Sequence, residues 1–263
     1  MKRIVVQCVL TGAPGGGKSS TLAILRKAFA PFFHVIIVNE TATEFFNSNG
    51  VGGKPLDLGT LGSIELHWVQ AQLLSLQLRA EVTARDLAAD CANDGRNVLI
   101  FYDRAVPDGG CFADPACWAE LSKTEPVDPA IYDMVLELRS AALLDDRSAY
   151  EYGPNCPNAA RQHDREAAIA FGEKFREVYD GHTWFRRIEA EPSRWVKFKN
   201  VVAAVVEGLP DDMRASLGSL NLSSSEIAAD LCDFASRALG RAALGRAAKT
   251  GARKRTIDGR ILY

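Results

Sequence analysis

Short, almost wholly apolar runs alternate along this chain with longer segments in which apolar residues recur every three or four positions. "RIVVQCVLTG" (residues 3–12) and "FHVIIVNE" (33–40) are rich in β-branched residues and lack a helical period, so they predict buried strands. Between them, "GKSSTLAILRKAFA" (17–30) places Leu22, Ile24, Leu25 and Phe29 on one side of a helix. A Gly/Asn/Pro-rich loop around residues 47–62 leads into one long helix from Ser63 to about Ala92, with Leu66, Val69, Leu73, Leu76 and Ala80 stepping by three and four. "NVLIFYDR" (97–104), "YDMVLELR" (132–139) and "HTWFRRIEA" (182–190) predict three further strands. "REAAIAFGEKFREVYD" (165–180) and "SRWVKFKNVVAAVVEGL" (193–209) predict two further helices, and the polar stretch 143–164 a loop. Five strands separated by helices predict an α/β fold with a parallel sheet covered on both faces. After Pro210, residues 219–244 predict an amphipathic helix, followed by a polar, basic end.

A length of 263 residues permits one large α/β domain or a domain with an extension. No apolar run approaches eighteen residues, which predicts no membrane span. The apolar start leads straight into a glycine loop, which favours a first strand over a signal peptide and a cytoplasmic location. The six cysteines form no Cys-x-x-Cys pair and no zinc spacing with the four histidines, so free thiols and structural histidines are expected. Net charge is −2, yet Asp233–Tyr263 carries eight Lys/Arg against two Asp. Such a basic tail is usually a solvated end; contact with an anionic lipid surface is the weaker alternative, and nothing further suggests nucleic acid.

"VLTGAPGGGKSS" (9–20) carries the chemistry: Gly12-x-x-x-x-Gly17-Lys18-Ser19 follows a strand and opens a helix, the context that the P-loop pattern requires. The backbone N–H groups of such a loop face phosphate oxygens, which explains Gly15, Gly16 and Gly17. The set expected to hold a nucleotide is Gly12, Ala13, Pro14, Gly15, Gly16, Gly17, Lys18, Ser19 and Ser20, with Arg104 beside it. Lys18 would reach the β- and γ-phosphates and Ser19 would ligate Mg²⁺. Asp103, at the carboxyl end of the apolar run "VLIFYD", is the second candidate metal residue. The bland alternatives are a glycine-rich turn and a loop-capping Asp. The division expected is a P-loop nucleotide-binding domain over residues 1–210 and a helical, basic extension over 211–263.

Together "VLTGAPGGGKSS", "FYDRAVPD", "YDMVLELRSAA", "NAARQHDRE" and "GHTWFRRIEA" resemble the AAA-type P-loop domain shared by the NadR ribosylnicotinamide kinase and the TRPL translocation defect proteins, over roughly residues 3–208. The resemblance implies a three-layer, kinase-like P-loop fold with strand order 2-3-1-4-5, which puts Asp103 beside the loop. It also implies ATP or GTP binding with Mg²⁺. The translocation defect proteins carry a β-rich C-terminal domain where this chain has a short basic extension, so their lipid binding transfers only weakly.

Further candidates follow from that frame. Glu40, ending the second strand, would face an acceptor hydroxyl as general base, or else be a capping or loop carboxylate. Arg104 would pair with phosphate or with Glu40. Arg161 and Arg165, four apart, would share a helix face and close over the γ-phosphate; the alternative is a solvated helix start. Arg139 is a weaker candidate of that type. Gln77 and Glu81 would face an acceptor or form the polar side of their helix, and the tryptophans would pack. Two functions compete: phosphoryl transfer from ATP or GTP to a small, nucleoside-like acceptor, and a nucleotide-dependent switch or slow NTPase with a protein partner.

Overall fold

The computed structural model describes residues 3–48, 61–91, 95–125, 127–151, 164–217 and 228–233. Five strands, β1 (Val5–Thr11), β2 (His34–Val38), β3 (Val98–Asp103), β4 (Met134–Leu138) and β5 (Phe185–Ile188), form one sheet in the order β2-β3-β1-β4-β5. All neighbouring pairs are parallel, with Leu10 opposite Asp103 and Thr11 opposite Glu137. This is the α/β sheet and strand order expected. Parallel pairing demands crossovers, and the helices between strands supply them: α1 (Lys18–Phe29), α2 (Thr41–Ser48), α3 (Ser63–Cys91), α4 (Gly109–Phe112), α5 (Pro115–Thr124) and α6 (Arg165–Val178); α7 (Arg194–Gly208) and α8 (Asp211–Ala215) follow the last strand.

Alternation along the strands sorts the core into two faces. Val6, Cys8 and Leu10, with Leu99, Phe101, Met134, Leu136 and Leu138, pack under Leu22, Leu25 and Phe29 of α1 and Val201, Val202 and Val205 of α7. Ala228, Leu231 and Cys232 join the same cluster, so the start of the C-terminal segment belongs to this core. On the other face Val9, Val98, Ile100, Tyr102 and Val135 meet Ala84 and Ala88 of α3 and Tyr179 just beyond α6. The basic tail after residue 233 and most of the helix expected over 219–244 lie outside the described residues.

Four helices went unread in the sequence: α2, α4, α5 and α8. α2 begins at Thr41, just past the end of β2. α5 opens on Asp114, whose carboxylate accepts from the Ala116 and Cys117 N–H groups, with Pro115 as its first residue. Trp118 of that helix covers Gly109 and Gly110 so closely that a Cβ at either would lie 2.7 Å from the indole. Trp68 departs from the packing expectation, since it is 56% exposed. No described helix is long and apolar enough to cross a membrane.

Candidate functional site

The carboxyl ends of β1, β2 and β3 bring the predicted residues into one cluster. Helix α1 starts on Gly17 in the left-handed conformation (φ 82°), with no side chain capping it. An uncapped first turn presents N–H groups and the positive end of the helix dipole, a ready anion site. Lys18 is buried, and its ammonium donates to the carbonyls of Gly12 at 2.9 Å and Ala13 at 3.3 Å. Burial, then the nearby Arg104 charge, pushes its pKa down to about 8 against the pull of Asp103, Glu40 and Asp108.

Two glycines of the loop have a packing reason besides the one expected. A Cβ on Gly16 would stand 2.5 Å from the Leu138 carbonyl oxygen, and one on Gly12 2.6 Å from the same atom. The loop is therefore seated on the end of β4, and both glycines are needed for that close approach. Only the Cβ direction of Gly17 is open. The segment after β4 braces the loop further. The Ser140 hydroxyl donates to the Pro14 carbonyl at 2.6 Å, the Ala141 N–H donates to the Gly15 carbonyl at 3.2 Å, and the Tyr150 ring covers Gly15.

Opposite the helix start, the Ser19 hydroxyl donates to Asp103 Oδ2 at 2.8 Å, while Asp103 Oδ1 is buried with no hydrogen-bond partner among the described residues. Burial raises the Asp103 pKa, countered by Lys18. One hydroxyl and one orphaned carboxylate oxygen form the oxygen donor set that Mg²⁺ takes, and it leaves room for phosphate oxygens and water in the remaining positions. These residues fit that ion. Among the described residues no cluster of three His, Cys, Asp or Glu side chains offers a rival metal site.

Arg104 closes the other side. Its Nε–H donates to Glu40 Oε1 at 2.7 Å and its Nη1 to the Gly12 carbonyl at 3.0 Å, and the guanidinium lies 4.9 Å from the ring centroid of Phe112 and 5.0 Å from that of Phe175. Of the two partners considered for Arg104, the structure shows Glu40. Burial acts to raise the Glu40 pKa, but Arg104, Lys18 and a hydrogen bond from Thr43 outweigh it, so the carboxyl is held below its usual range. Glu40 is therefore an ionised carboxylate beside the loop.

The remaining candidates are placed elsewhere. Arg165 opens α6 and donates through Nε to the Ala142 carbonyl at 2.7 Å and through Nη2 to that of Leu144, so it grips the segment that braces the loop. Arg161 lies outside the described residues. Arg139 joins an ion-pair group with Glu173 at 2.8 Å and Glu137 at 3.7 Å. Ser20 is exposed on α1. Gln77 and Glu81 are not the polar side of α3: they are 7% and 0% exposed and turn inward. Sequence reading also missed Asp108, which is buried and accepts from the Thr11 hydroxyl at 2.6 Å and the Ala105 N–H at 2.9 Å. Its position five residues after Asp103 was the available signal.

A family model described as an AAA domain matches residues 7–191. Among solved structures, deoxyadenosine kinase from M. mycoides with the products dCMP and a flexible dCDP bound aligns with a TM-score of 0.53 at 14% identity, covering 77% of this chain and 100% of that one. Thymidylate kinase from Ehrlichia chaffeensis aligns at 0.46 with 10% identity, covering 77% and 99%. The first shares the fold. No curated protein matches this chain in sequence.

Proposed function

The chain belongs to the AAA domain family of P-loop proteins, and from that premise we propose that it is a phosphotransferase, moving the γ-phosphoryl group of ATP or GTP to the hydroxyl of a small acceptor. The observation that carries this reading is Glu40: an ionised carboxylate at the end of β2, 2.7 Å from Arg104, which itself reaches the glycine loop. A protein that only holds a nucleotide needs Lys18 and the loop N–H groups. It has no use for a second, acceptor-side carboxylate coupled to them.

In this mechanism the loop N–H groups and Lys18 bind the triphosphate, and Ser19 and Asp103 hold Mg²⁺, which when bound neutralises charge on the phosphate oxygens. Glu40 orients the acceptor hydroxyl and accepts its proton as that oxygen bonds to phosphorus and the bond to the nucleoside diphosphate breaks. Its lowered pKa keeps it ionised, so it acts late, when the attacking oxygen has become acidic. Arg104 spreads its charge between Glu40 and the loop. A nucleoside-like acceptor is the class we favour, as the named substrate of the deoxyadenosine kinase neighbour suggests.

The second reading, a nucleotide-dependent switch or slow NTPase acting on a partner, draws on the brace from Ser140 to Tyr150. That segment joins the glycine loop to α6 through Arg165, and so offers a route from nucleotide to surface. The two are separated by following labelled phosphate from ATP and from GTP across a panel of nucleosides, with Lys18→Ala as the inactive control. Transfer to a nucleoside supports the first reading; release of inorganic phosphate alone, with every acceptor unlabelled, replaces it by the second.

A further inference from the structure

Arg104 has φ 70°, and it is the one non-glycine residue in the left-handed region among the described residues. An arginine stays there only where its surroundings over-determine the turn. Four hydrogen bonds do so. The Arg104 N–H donates to the Leu10 carbonyl at 3.1 Å and the Ala105 N–H to Asp108 Oδ2 at 2.9 Å. The other two come from one face of α3: Gln77 Nε2 donates to the Arg104 carbonyl at 3.3 Å, and Glu81 Oε1 accepts from the Val106 N–H at 2.8 Å.

The same two side chains reach further. Gln77 Oε1 accepts from the hydroxyl of Thr41, the residue after Glu40, at 2.8 Å, and Gln77 Nε2 donates to Glu81 Oε1 at 3.0 Å. Glu81 Oε2 accepts from the Tyr132 hydroxyl at 2.7 Å. A buried carboxylate is costly unless its oxygens are bonded, and apolar residues would fill this space at less expense. Among the described residues, neither side chain bonds to the glycine loop.

We propose that Gln77 and Glu81 are positioning residues, which hold the backbone that leaves the left-handed turn at Arg104 and so aim its guanidinium between Glu40 and the Gly12 carbonyl. Without the turn, the side chain would follow the alternation of β3 and leave Glu40 without its ion-pair partner. Gln77 acts on both partners at once, through the Arg104 carbonyl and through Thr41, so the ends of β2 and β3 keep one relative placement. The inference deepens the phosphotransfer reading and rests on it only for its kinetic arm.

The test follows the Nε–H resonance of Arg104 in the ¹⁵N-labelled full chain, assigned by its loss in Arg104→Ala. Gln77→Asn keeps the amide but is one methylene too short to span Thr41 and the Arg104 carbonyl. Glu81→Leu removes the acceptor for Val106, and Glu81→Gln retains one. The first two are expected to speed solvent exchange of that proton by about tenfold or more, and Glu81→Gln to leave it near wild type. Thr41→Val, at a half-buried position, cuts the same tether from the β2 side and decides the matter should the α3 variants not fold. In the transfer assay, Gln77→Asn is expected to lower kcat by about tenfold with the KM for ATP unchanged. An Arg104 proton as protected as wild type in Gln77→Asn, alongside a lowered Tm, would show that the pair only packs, and overturns the proposal. Absence of transfer by the wild type defeats the phosphotransfer reading and leaves the resonance to decide this one.

Discussion

The Ser19 hydroxyl and Asp103 Oδ2 meet at 2.8 Å, joining the first turn of α1 to the last residue of β3, and the other oxygen of that carboxylate is buried without a partner among the described residues. An unsatisfied buried acceptor costs on the order of 1–3 kcal/mol, a cost that a bound cation removes. Asp103→Asn is therefore expected to weaken nucleotide affinity by about tenfold or more in Mg²⁺ and to leave it nearly unchanged in EDTA. Titration calorimetry under the two conditions checks this; equal losses in both would make Asp103 a structural residue.

Glu40→Gln keeps the shape of the side chain and an acceptor for Arg104 but removes its basicity. If Glu40 takes the acceptor proton, the rate of transfer falls by roughly 10²–10⁴-fold while ATP affinity barely moves. Single-turnover kinetics beside calorimetry separate the two quantities. A variant that transfers phosphate at the wild-type rate takes Glu40 out of the chemistry.

The seat of the glycine loop gives a prediction that phosphate access alone does not. Gly16→Ala drives a methyl group to within 2.5 Å of the Leu138 carbonyl, a backbone atom that cannot swing aside. The loop or β4 must shift, at about 1–3 kcal/mol of stability. Thermal melts without nucleotide should show that loss. An unchanged Tm with weakened nucleotide binding would instead return Gly16 to the role first expected of it.

Lys197 of α7 is 8% exposed and donates to the Arg139 carbonyl; burial pushes its pKa down to about 8, against the pull of Glu189 and Glu191. Between that value and its ordinary 10.5 the unfolded chain holds a proton that the folded chain has released, so this lysine makes stability rise with pH across the window. Below pH 8 both states are protonated and the contribution is flat. Lys197→Met removes the rise, which amounts to about 3 kcal/mol over the full window. Urea melts of both proteins from pH 7 to 10.5 check it: parallel profiles would refute the buried charge.

Strands were legible because a parallel sheet buries both faces and leaves apolar runs such as "NVLIFYD" in the chain. The strand order was not periodic information; it came with the resemblance. The glycine loop and Asp103 were legible because phosphate chemistry narrows the residue types allowed. Gln77 and Glu81 were not, since what makes a polar helix residue buried is a partner elsewhere in the sequence: Glu81 meets Val106 and Tyr132, which are 25 and 51 positions away. Glu40 was found and its tie to Arg104 was one of two alternatives. The anchoring of Arg165 to the carbonyls of Ala142 and Leu144 left no trace, because backbone acceptors carry no sequence signature. Helix α5 did leave one, Asp114 followed by Pro115, which its short length and the absence of a buried face concealed.

Ala228, Leu231 and Cys232, 1%, 5% and 0% exposed, belong to the core cluster that one face of the sheet forms with α1 and α7. A chain shortened to residue 217 would open that cluster to water, and exposed valine and leucine of this kind draw copies together. Solubility, before any catalytic property, would be the first thing to fail. A shortened chain meant for crystals or for trimming the basic end should therefore keep residues 228–233, because they complete that core cluster.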